Sequence, residues 1–510
     1  MEVHQVKSPI LTVGVLCCLM IGVACWKPRP APHPGTSEGV PTGAVPSQSS
    51  PTDVGVSPGY VLFSPLLSGM TYLIDRRGLA VHTWASEYAP GASVYLLAGG
   101  NLLRPARDPG LPMFSAGGQG GRIQQFTWEG ELLWDFVIGG PDRMQHHDIE
   151  PLPNGNVLVI VWETRTREQA LRAGRRPDLV PEQGLFPDAI VEIEPLPPDD
   201  GRIVWSWHVW GHLIQDLDPD LPGYGRVADH PELVDINGDQ RRRRVTDAVL
   251  DRLKALGYAT RGATPADARA DLLHTNSIAY NPALDQIMLS VLNFNEVWII
   301  DHGTTTSEAA SHAGGRAGKG GDLLFRWGNP QAYGRGTDQH RQLFGQHDAR
   351  WIPAGVPGAG NIMIFNNGVD RPGGAQSSVI ELSPPVDGKG RYTAAAGEPF
   401  GPARPVWRYP GTTDPSFFAD FISGAARLPN GNTIVCDGPR GRFLEVTPDG
   451  KQVWEYHNPY TGDAPNPAGD PARSVFRVTN IPPDHPAVAG RHLPPLDPQP
   501  PPIAAGTGVR

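Results

Sequence analysis

The chain has 510 residues, with 61 glycines, 55 prolines and only four cysteines, and its formal net charge at pH 7 is -10. A single basic run at Arg241 to Arg244 interrupts this acidic balance, so the composition argues against nucleic acid as a partner. Frequent glycine and proline with few helix-period segments predict an all-β protein whose many short strands are joined by turns.

The amino terminus has the pattern of an export signal. Residues 1–25 begin with a cationic Lys7, continue with an apolar run from Ile10 to Ala24 and place small residues before Cys25. This pattern predicts a secretory signal peptide and an extracytoplasmic protein, periplasmic or secreted, with an uncleaved membrane anchor as the alternative. Cys25 follows small residues as a lipidated cysteine would, so membrane attachment as a lipoprotein also stays open.

Low-complexity segments flank the folded part. Residues 26–58 are rich in proline, serine, threonine and glycine and predict a disordered linker, and the composition of 491–510 predicts a disordered tail. Residues 59–490 between them form the predicted domain. Outside the apolar run the sequence contains only Cys25 and Cys436, so the core rather than a disulfide framework must hold this domain together.

One unit recurs along the domain: a β-rich run, a turn with glycine or aspartate, and a tryptophan beside valine or leucine. Each copy is predicted to be a β-hairpin, because alternating apolar residues flank a turn whose residues tolerate positive φ. Six copies predict a six-bladed β-propeller in which the tryptophans pack between neighbouring sheets. These tryptophans are Trp84, Trp134, Trp205, Trp327, Trp407 and Trp454.

A segment at about 240–270 departs from the strand pattern. Apolar residues from Val245 to Leu256 recur at helical spacing and Gly257 ends the run. We therefore expect a small helical insertion that shapes or covers a site at the mouth of the propeller. A calcium loop is an alternative just before it, although the glutamate of an EF-hand is absent; its first ligands would be Asp235, Asn237 and Asp239.

A second repeated unit places histidine at one structural position. His147 lies seven residues before Asn154 of a Pro-Asn-Gly turn, and apolar strands follow His274 and His347 at the same spacing. If this unit begins the innermost strand of a blade, the three side chains point into the central channel from three blades. Three converging imidazoles can bind a metal, donate hydrogen bonds to an anion or provide a nucleophile.

Two kinds of site fit these histidines. Three imidazoles with an open fourth position suit a catalytic zinc, and hence a metal-dependent hydrolase. Amide and cationic donors in the same segments favour an oxyanion instead, so we expect no metal or other cofactor. The predicted substrate-binding donors are Asn276, Asn366, Asn367 and Arg371.

Three segments resemble motifs of the bacterial arylsulfotransferase family, the aryl-sulfate sulfotransferases. They are MQHHDIEPLPNGNVLV, DLLHTNSIAYNPALDQIMLS, and FGQHDARW followed by GNIMIFNNGVDRP. The resemblance covers roughly residues 60–480 and implies a six-bladed propeller with its site in the channel. It also implies transfer of a sulfuryl group from an aryl sulfate to a phenolic acceptor through a sulfohistidine at His347, assisted by His147 and His274.

One departure from the family pattern falls on Leu292. The family carries an arginine eighteen residues after the second histidine, where this chain has leucine. Loss of one oxyanion donor costs about 3 to 4 kcal/mol of transition-state stabilisation, so Arg371 or Arg440 would have to replace it. Without a replacement, the alternative to an enzyme is a non-catalytic propeller that binds a ligand or a partner at the channel mouth.

Overall fold

Six four-stranded sheets form the blades of a β-propeller in the computed structural model, which confirms the predicted fold class and blade number. The structure describes residues 55–111, 117–239, 245–256, 258–259, 262–410, 417–462 and 473–502. The predicted signal peptide and most of the predicted linker therefore lie outside the described residues. Among the described residues, no helix is both long and apolar enough to span a membrane.

The first half of the chain builds three blades in order. Blade 1 begins with β1 (Tyr60–Phe63), β2 (Met70–Asp75) and β3 (Ala80–Ala85). Blade 2 contains β4 (Tyr95–Leu96), β5 (Leu102–Arg107), β6 (Gly121–Phe126) and β7 (Leu132–Val137). Blade 3 contains β8 (Arg143–Pro151), β9 (Val157–Glu163), β10 (Asp188–Leu196) and β11 (Asp200–His208), with the short helix α1 (Arg167–Arg172) between β9 and β10.

A long connection leads from blade 3 to blade 4 and carries the helical insertion. It contains the parallel pair β12 (Leu213–Ile214) and β13 (Val234–Asp235), followed by α2 (Asp247–Ala255) and α3 (Pro265–Ala270). These two helices confirm the predicted helical insertion. Thr246 and Thr264 cap them, because each hydroxyl accepts a hydrogen bond from a backbone N–H in the first turn.

The second half of the chain builds the other three blades. Blade 4 contains β14 (Thr275–Asn281), β15 (Gln286–Val291), β16 (Glu296–Asp301) and β17 (Phe325–Trp327), with α4 (Thr306–Ala309) before β17. Blade 5 contains β18 (His347–Trp351), β19 (Ile362–Asn366), β20 (Ser378–Leu382) and β21 (Trp407–Tyr409). Blade 6 contains β22 (Gly424–Arg427), β23 (Thr433–Asp437), β24 (Arg442–Val446) and β25 (Gln452–His457).

The last strand, β26 (Thr479–Ile481), closes the ring. It pairs antiparallel with β1 and so becomes the innermost strand of blade 1. Short 3-10 helices lie in the connections: Pro177–Leu179, Val209–His212, Val227–Asp229, Leu292–Phe294, Pro330–Tyr333, Asp338–His340 and Gly438–Arg440.

The six repeated tryptophans lie in the outermost strands and join each blade to the next. Their rings pack among apolar residues of neighbouring sheets, as the sequence predicted. Each indole N–H also donates a hydrogen bond of 2.7 to 3.1 Å to a turn of the following blade. The donor and acceptor residues are Trp84 and Thr127, Trp134 and Asp200, Trp205 and Thr304, Trp327 and Pro402, Trp407 and Pro448, and Trp454 and Arg76.

A buried ion cluster links the innermost strands near the axis. The guanidinium of Arg477, just before β26, donates to both carboxylate oxygens of Asp148 at 2.6 and 2.8 Å and to Asp348 at 3.3 Å. It also donates to the hydroxyl of Tyr95. The cluster thus connects four blades, and removing one partner from such a buried pair typically costs about 3 to 5 kcal/mol of stability.

Both ends that the composition assigned to disordered segments touch the propeller. The backbone N–H of Ser57 donates to Glu445 at 2.7 Å. Gln499 satisfies the N–H and the C=O of Ala80 with its side-chain amide, and the N–H of Thr461 donates to the C=O of Pro502. Residues 55–58 and 491–502 are therefore part of the folded structure, because their polar groups pair with side chains and backbone of the propeller.

The candidate calcium ligands are engaged in other contacts. Both oxygens of Asp239 accept hydrogen bonds from Arg175, at 2.6 and 2.8 Å. Asn237 bonds the backbone of Gly174 and Arg176. These side chains hold the start of the insertion against blade 3, so they do not face a common point as an EF-hand loop requires.

Candidate active site

The three predicted histidines lie at the channel ends of three innermost strands. His147 is in β8, His274 immediately precedes β14 and His347 is the first residue of β18. The pairing register shifts next to each of them, and His147 and His274 both have φ of 53°, in the left-handed region. Backbone strain of this kind costs about 1 to 3 kcal/mol per residue and persists where surrounding contacts fix a side chain for function.

Asn367 fixes the protonation of His347. Its side-chain NH₂ donates to the carbonyls of Ala419 (2.8 Å) and Ile422 (2.9 Å), so its oxygen faces Nδ1 of His347 at 2.8 Å. An amide oxygen can only accept, so Nδ1 carries the proton and Nε2 holds a lone pair. Within the described structure this buried Nε2 has no hydrogen-bond partner.

Burial is the main reason why the pKa of His347 falls to about 4, and the nearby His274 lowers it further. The imidazole is therefore neutral at physiological pH. A neutral ring with one free, oriented lone pair is the form that a histidine nucleophile requires.

His274 forms a dyad with Asp271. Nδ1 of His274 lies 2.5 Å from one carboxylate oxygen of Asp271, and the indole N–H of Trp162 donates to the other at 3.2 Å. Burial alone would raise the pKa of Asp271, but the charge and hydrogen bond of His274 outweigh it and lower that pKa. The carboxylate therefore contacts Nδ1 of His274 and fixes the orientation of the ring.

Tyr258, from the insertion, bridges two of the histidines. Its hydroxyl lies 2.8 Å from Nε2 of His147 and 3.1 Å from Nε2 of His274. The neighbouring backbone is glycine because a Cβ at Gly118 would lie only 2.1 Å from the His147 ring, and one at Gly117 would meet the Tyr258 ring at 2.5 Å. Burial raises the pKa of Tyr258 well above its usual value, so the phenol is neutral.

His146 extends this chain of contacts. Its Nδ1 lies 2.7 Å from Nδ1 of His147, and its ring stacks on Trp162 with centroids 4.0 Å apart. Its Nε2 is 3.5 Å from the carboxylate of Asp188. Sequence reasoning singled out neither His146 nor Tyr258 as a site residue, although a histidine pair and an aromatic residue on a predicted covering insertion were both visible in the sequence.

The predicted amide donors have different positions in the structure. Asn276 donates to the carbonyl of Gln346 at 2.8 Å and leaves its own side-chain oxygen without a partner. Asn366 accepts from the N–H of Phe344 and donates to the carbonyl of Gln342, so it braces the loop before β18. Of the three, only Asn367 contacts a predicted catalytic histidine directly through a side-chain hydrogen bond.

The structure does not bring either candidate arginine to the histidines by any described hydrogen bond or ion pair. Arg371 lines a groove of about 660 Å³ with Trp327 and Arg408, between the outer strands of blades 4 and 5. Arg440 donates to the carbonyl of Phe418 and pairs with Asp437.

Leu292 does lie beside the site. It is half-buried, and its N–H donates to the carbonyl of His274 at 3.3 Å.

The channel histidines are not the set with metal-ligand geometry. Among the described residues, the one group of three potential ligand atoms within 4.8 Å of one another is His212, His312 and Asp322. In that group both imidazole Nδ1 atoms contact one oxygen of Asp322, at 2.8 and 2.7 Å. At the channel, by contrast, the Tyr258 hydroxyl lies between two imidazole nitrogens.

Similarity to solved structures is weak. A protein of unknown function from Bacteroides caccae has a TM-score of 0.41 at 12% identity, covering 83% of this chain and 99% of that one. A protein from Lactobacillus plantarum has a TM-score of 0.39 at 9% identity, with the same coverages. Virginiamycin B lyase from Staphylococcus aureus, as an inactive variant with quinupristin, has a TM-score of 0.32 at 10% identity over 81% and 87% of the chains. These similarities support no functional inference.

Comparison with family models gives a match, whereas comparison with curated proteins does not. No curated protein matches the chain. The family model described as Arylsulfotransferase (ASST) matches residues 116–458, a range that runs from blade 2 into blade 6 and contains all three channel histidines. The chain therefore belongs to the arylsulfotransferase family.

Proposed function

We propose that the protein transfers a sulfuryl group from an aryl sulfate to a phenolic acceptor, with His347 as the nucleophile. Family membership supports small-molecule aryl sulfates and phenols as the substrates. The observation that carries the residue assignment is Nε2 of His347, which is buried, neutral and without a partner in the described structure, while Asn367 holds the opposite nitrogen.

Transfer would take place in two steps. In the first, the Nε2 lone pair attacks sulfur, an N–S bond forms, the aryl S–O bond breaks and the departing phenolate takes a proton from a neighbouring histidine. In the second, an acceptor phenol gives its proton back to that histidine while its oxygen attacks sulfur and the N–S bond breaks. The predicted kinetics are ping-pong.

His274 suits the proton-transfer role better than His147. The Asp271 carboxylate, 2.5 Å from Nδ1, stabilises the protonated form of His274. Burial, reinforced by the charges of His274, His146 and His347, instead lowers the pKa of His147 well below its usual value. His274 would thus donate the proton, and His147 would hold the phenolic oxygen in line.

A proton on His274 would also supply positive charge near Leu292, where the family has an arginine. The sulfuryl oxygens gain negative charge as the S–O bond breaks, and a fixed positive charge nearby stabilises them. Leu292 provides no such charge, but its backbone N–H donates to the carbonyl of His274, so a proton taken up by His274 would place a positive charge near this position. We infer that this dyad supplies part of the charge that the family places on arginine.

The site of action is also proposed to be outside the cytoplasm. The apolar run in residues 1–25 and the small residues before Cys25 support export, with lipid attachment at Cys25 as a further possibility. Cell fractionation and the mass of the mature amino terminus would test this. An unprocessed Met1 terminus on a cytoplasmic protein would contradict it.

A second candidate function is a propeller that binds a ligand without catalysis. Leu292 favours it, since an apolar side chain stands where the family has its cationic donor. The deciding assay mixes the protein with 4-nitrophenyl sulfate and phenol. Phenol-dependent release of 4-nitrophenol that is lost in His347→Ala supports sulfotransfer, and release that a chelator abolishes instead supports a metal-dependent hydrolase. If no aryl sulfate releases its phenol, the result favours the non-catalytic binding function.

A further inference from the structure

Tyr258 presents to the channel histidines the same chemical group that the proposed substrates would present. We propose that its side chain occupies the subsite for the phenolic group, with its oxygen at the position that the ester oxygen of the donor or the hydroxyl of the acceptor would take. This inference rests on the proposed function and identifies where, within the site, the phenol binds.

The position of the oxygen carries the argument. A phenol that leaves or attacks sulfur must meet a histidine that can exchange its proton. The Tyr258 oxygen already contacts the two nitrogens available for this, Nε2 of His147 at 2.8 Å and Nε2 of His274 at 3.1 Å. A substrate phenol cannot share that position, so it has to replace the tyrosine.

The number of hydrogens available for these two contacts agrees with a phenol bound between a hydrogen-bond donor and a hydrogen-bond acceptor. Tyr258 has one hydroxyl hydrogen, and its oxygen faces two imidazole nitrogens. Only one of the two contacts can be donated by the tyrosine, so a histidine N–H must donate the other. Nδ1 of His274 faces the Asp271 carboxylate and Nδ1 of His147 faces His146, so the hydrogen that completes the pair of contacts lies on Nε2 of one of these two histidines.

The walls around the ring suit an arene. Tyr258 packs in an apolar cluster with its ring centroid 5.4 Å from that of Phe421. Phe476, in the same cluster, lies 6.4 Å from both the His147 and the His347 rings. A substrate ring placed there would keep its oxygen at the histidines and its sulfur side towards the channel.

Several contacts outside the sheets hold the insertion that carries the tyrosine. Arg252 of α2 pairs with Asp420 while half its side chain stays in solvent, and its guanidinium lies 5.7 Å from the Phe421 ring centroid. The carbonyl of Leu256 accepts from Ser474 at 2.9 Å. The backbone of Tyr258 is fixed as well, because the N–H of Gly118 donates to its carbonyl at 3.3 Å and the carbonyl of Gly118 accepts from the N–H of His147 at 2.6 Å. An entering phenol would therefore displace the side chain of Tyr258 and leave its backbone in place.

Calorimetric binding of p-cresol in the absence of any sulfate donor tests the subsite directly. When an internal group fills the subsite, the apparent Kd of a competing ligand equals its intrinsic Kd divided by the fraction of molecules in which the subsite is free. We expect Tyr258→Gly to bind p-cresol at least about 10-fold more tightly than the wild type, with Tyr258→Phe in between. Toluene should gain much less, because it cannot bond the histidines.

Tyr392 provides the matched control. It is a half-buried tyrosine, whereas Tyr258 is buried, and its hydroxyl donates to Gln286 at 2.9 Å outside the channel. Tyr392→Ala should leave p-cresol affinity unchanged. Equal affinity in wild type and Tyr258→Gly, with the wild-type thermal unfolding transition and circular dichroism retained, would overturn the proposal.

Kinetics separate the subsite from the proposed function. If Tyr258 only fills the subsite, Tyr258→Phe lowers KM for the phenol acceptor and preserves kcat. A fall in kcat of about 100-fold with unchanged KM would make Tyr258 a proton-transfer residue and refute the proposal. Tight p-cresol binding in Tyr258→Gly without any sulfotransfer in the wild type would refute only the proposed function, and sulfotransfer without improved p-cresol binding would refute only the subsite.

Discussion

Nδ1 of His347 donates to the side-chain oxygen of Asn367 at 2.8 Å, and this contact decides which ring nitrogen is free. Asn367 cannot turn its amide round, because its NH₂ group is committed to the carbonyls of Ala419 and Ile422. The fold already buries the ring of His347, so this one contact is enough to fix the orientation of the neutral imidazole. Substitutions at Asn367 can therefore test the role of His347 separately from the roles of the neighbouring histidines.

Replacing His347 with alanine should reduce phenol-dependent release of 4-nitrophenol by at least about 10³-fold, because the attacking nitrogen is removed. Rapid quenching of the wild type with donor alone should show a covalent sulfuryl adduct on the peptide that contains His347. His340→Ala is the control, since His340 lies at an exposed 3-10 turn and bonds only Thr337 through its side chain. Full activity in His347→Ala would exclude the assignment.

Asn367→Asp should move the acid limb of kcat/KM to higher pH. A carboxylate against Nδ1 stabilises the protonated ring, so it raises the pKa of His347 from about 4 and protonates the nucleophile earlier as pH falls. The measurement is the pH profile of kcat/KM for 4-nitrophenyl sulfate.

Asn366→Asp is the matched control for that substitution. Asn366 is the adjacent residue, and its side chain bonds only the backbone at Phe344 and Gln342. Its variant should lose some stability and keep the wild-type profile. Identical shifts in both variants would mean that the effect does not pass through His347.

Asp271→Asn should slow the reaction most with poor leaving groups. Without the carboxylate, His274 is a weaker reservoir for the proton that the departing phenolate needs. We expect kcat/KM to fall by roughly 10²-fold for phenyl sulfate and by much less for 4-nitrophenyl sulfate, whose phenolate leaves without help. A series of aryl sulfates gives the dependence on leaving-group pKa. An unchanged slope in the variant would remove His274 from the acid role.

The buried histidines should make the fold less stable as the solution becomes acidic. The pKa of His347 is about 4 in the folded state and 6.5 in the unfolded chain, so the unfolded chain binds the proton first. The stabilising contribution is complete above pH 6.5 and is lost as pH falls towards 4, amounting to roughly 2 kcal/mol by about pH 5.

Urea unfolding of the wild type and His347→Gln between about pH 7.5 and 5 measures this contribution by difference. The wild type should lose more stability across this range than the variant does. Parallel curves for the two proteins would show that His347 is not buried as a neutral ring.

Leu292→Arg should increase sulfotransfer. The backbone N–H of Leu292 donates to the carbonyl of His274, so an arginine there would start next to one of the site histidines. Restoring one oxyanion donor is expected to raise kcat/KM for 4-nitrophenyl sulfate by about 10-fold or more. Leu292→Met keeps the size and adds no charge, so it should behave as the wild type. A loss of activity in Leu292→Arg with retained stability would mean that the dyad already fills this role.

Residues tied to the strand repeat were predictable, and residues on connections were not. The six tryptophans recur once per blade, and the histidines lie in or next to innermost strands, so the two repeats in the sequence place both sets. Tyr258 reaches His147 across 111 residues from a segment with no counterpart in the other blades. No periodicity could have related the two.

Arg371 shows that a residue close in sequence to a site residue does not have to lie at the site. It follows Asn367 closely in sequence, and the shared motif suggested a shared site. The chain turns sharply after β19, where Gly368 and Asp370 both have positive φ, and the next residues lead to the groove between outer strands. Asn367 itself was predicted as a donor to substrate, whereas its structural contact is as an acceptor from His347. Sequence proximity predicted the element but not the direction of the side chain.

The pairing of β26 with β1 has a consequence for biosynthesis. Phe476 and Arg477, which complete the apolar wall and the ion cluster of the channel, precede the strand that closes blade 1. During synthesis from the amino terminus, the histidines of blades 3 to 5 are therefore made long before the channel that holds them can exist. A chain that ends before Ile481 would lack a finished channel, so the surroundings of the proposed nucleophile His347 form only after β26 has been synthesised.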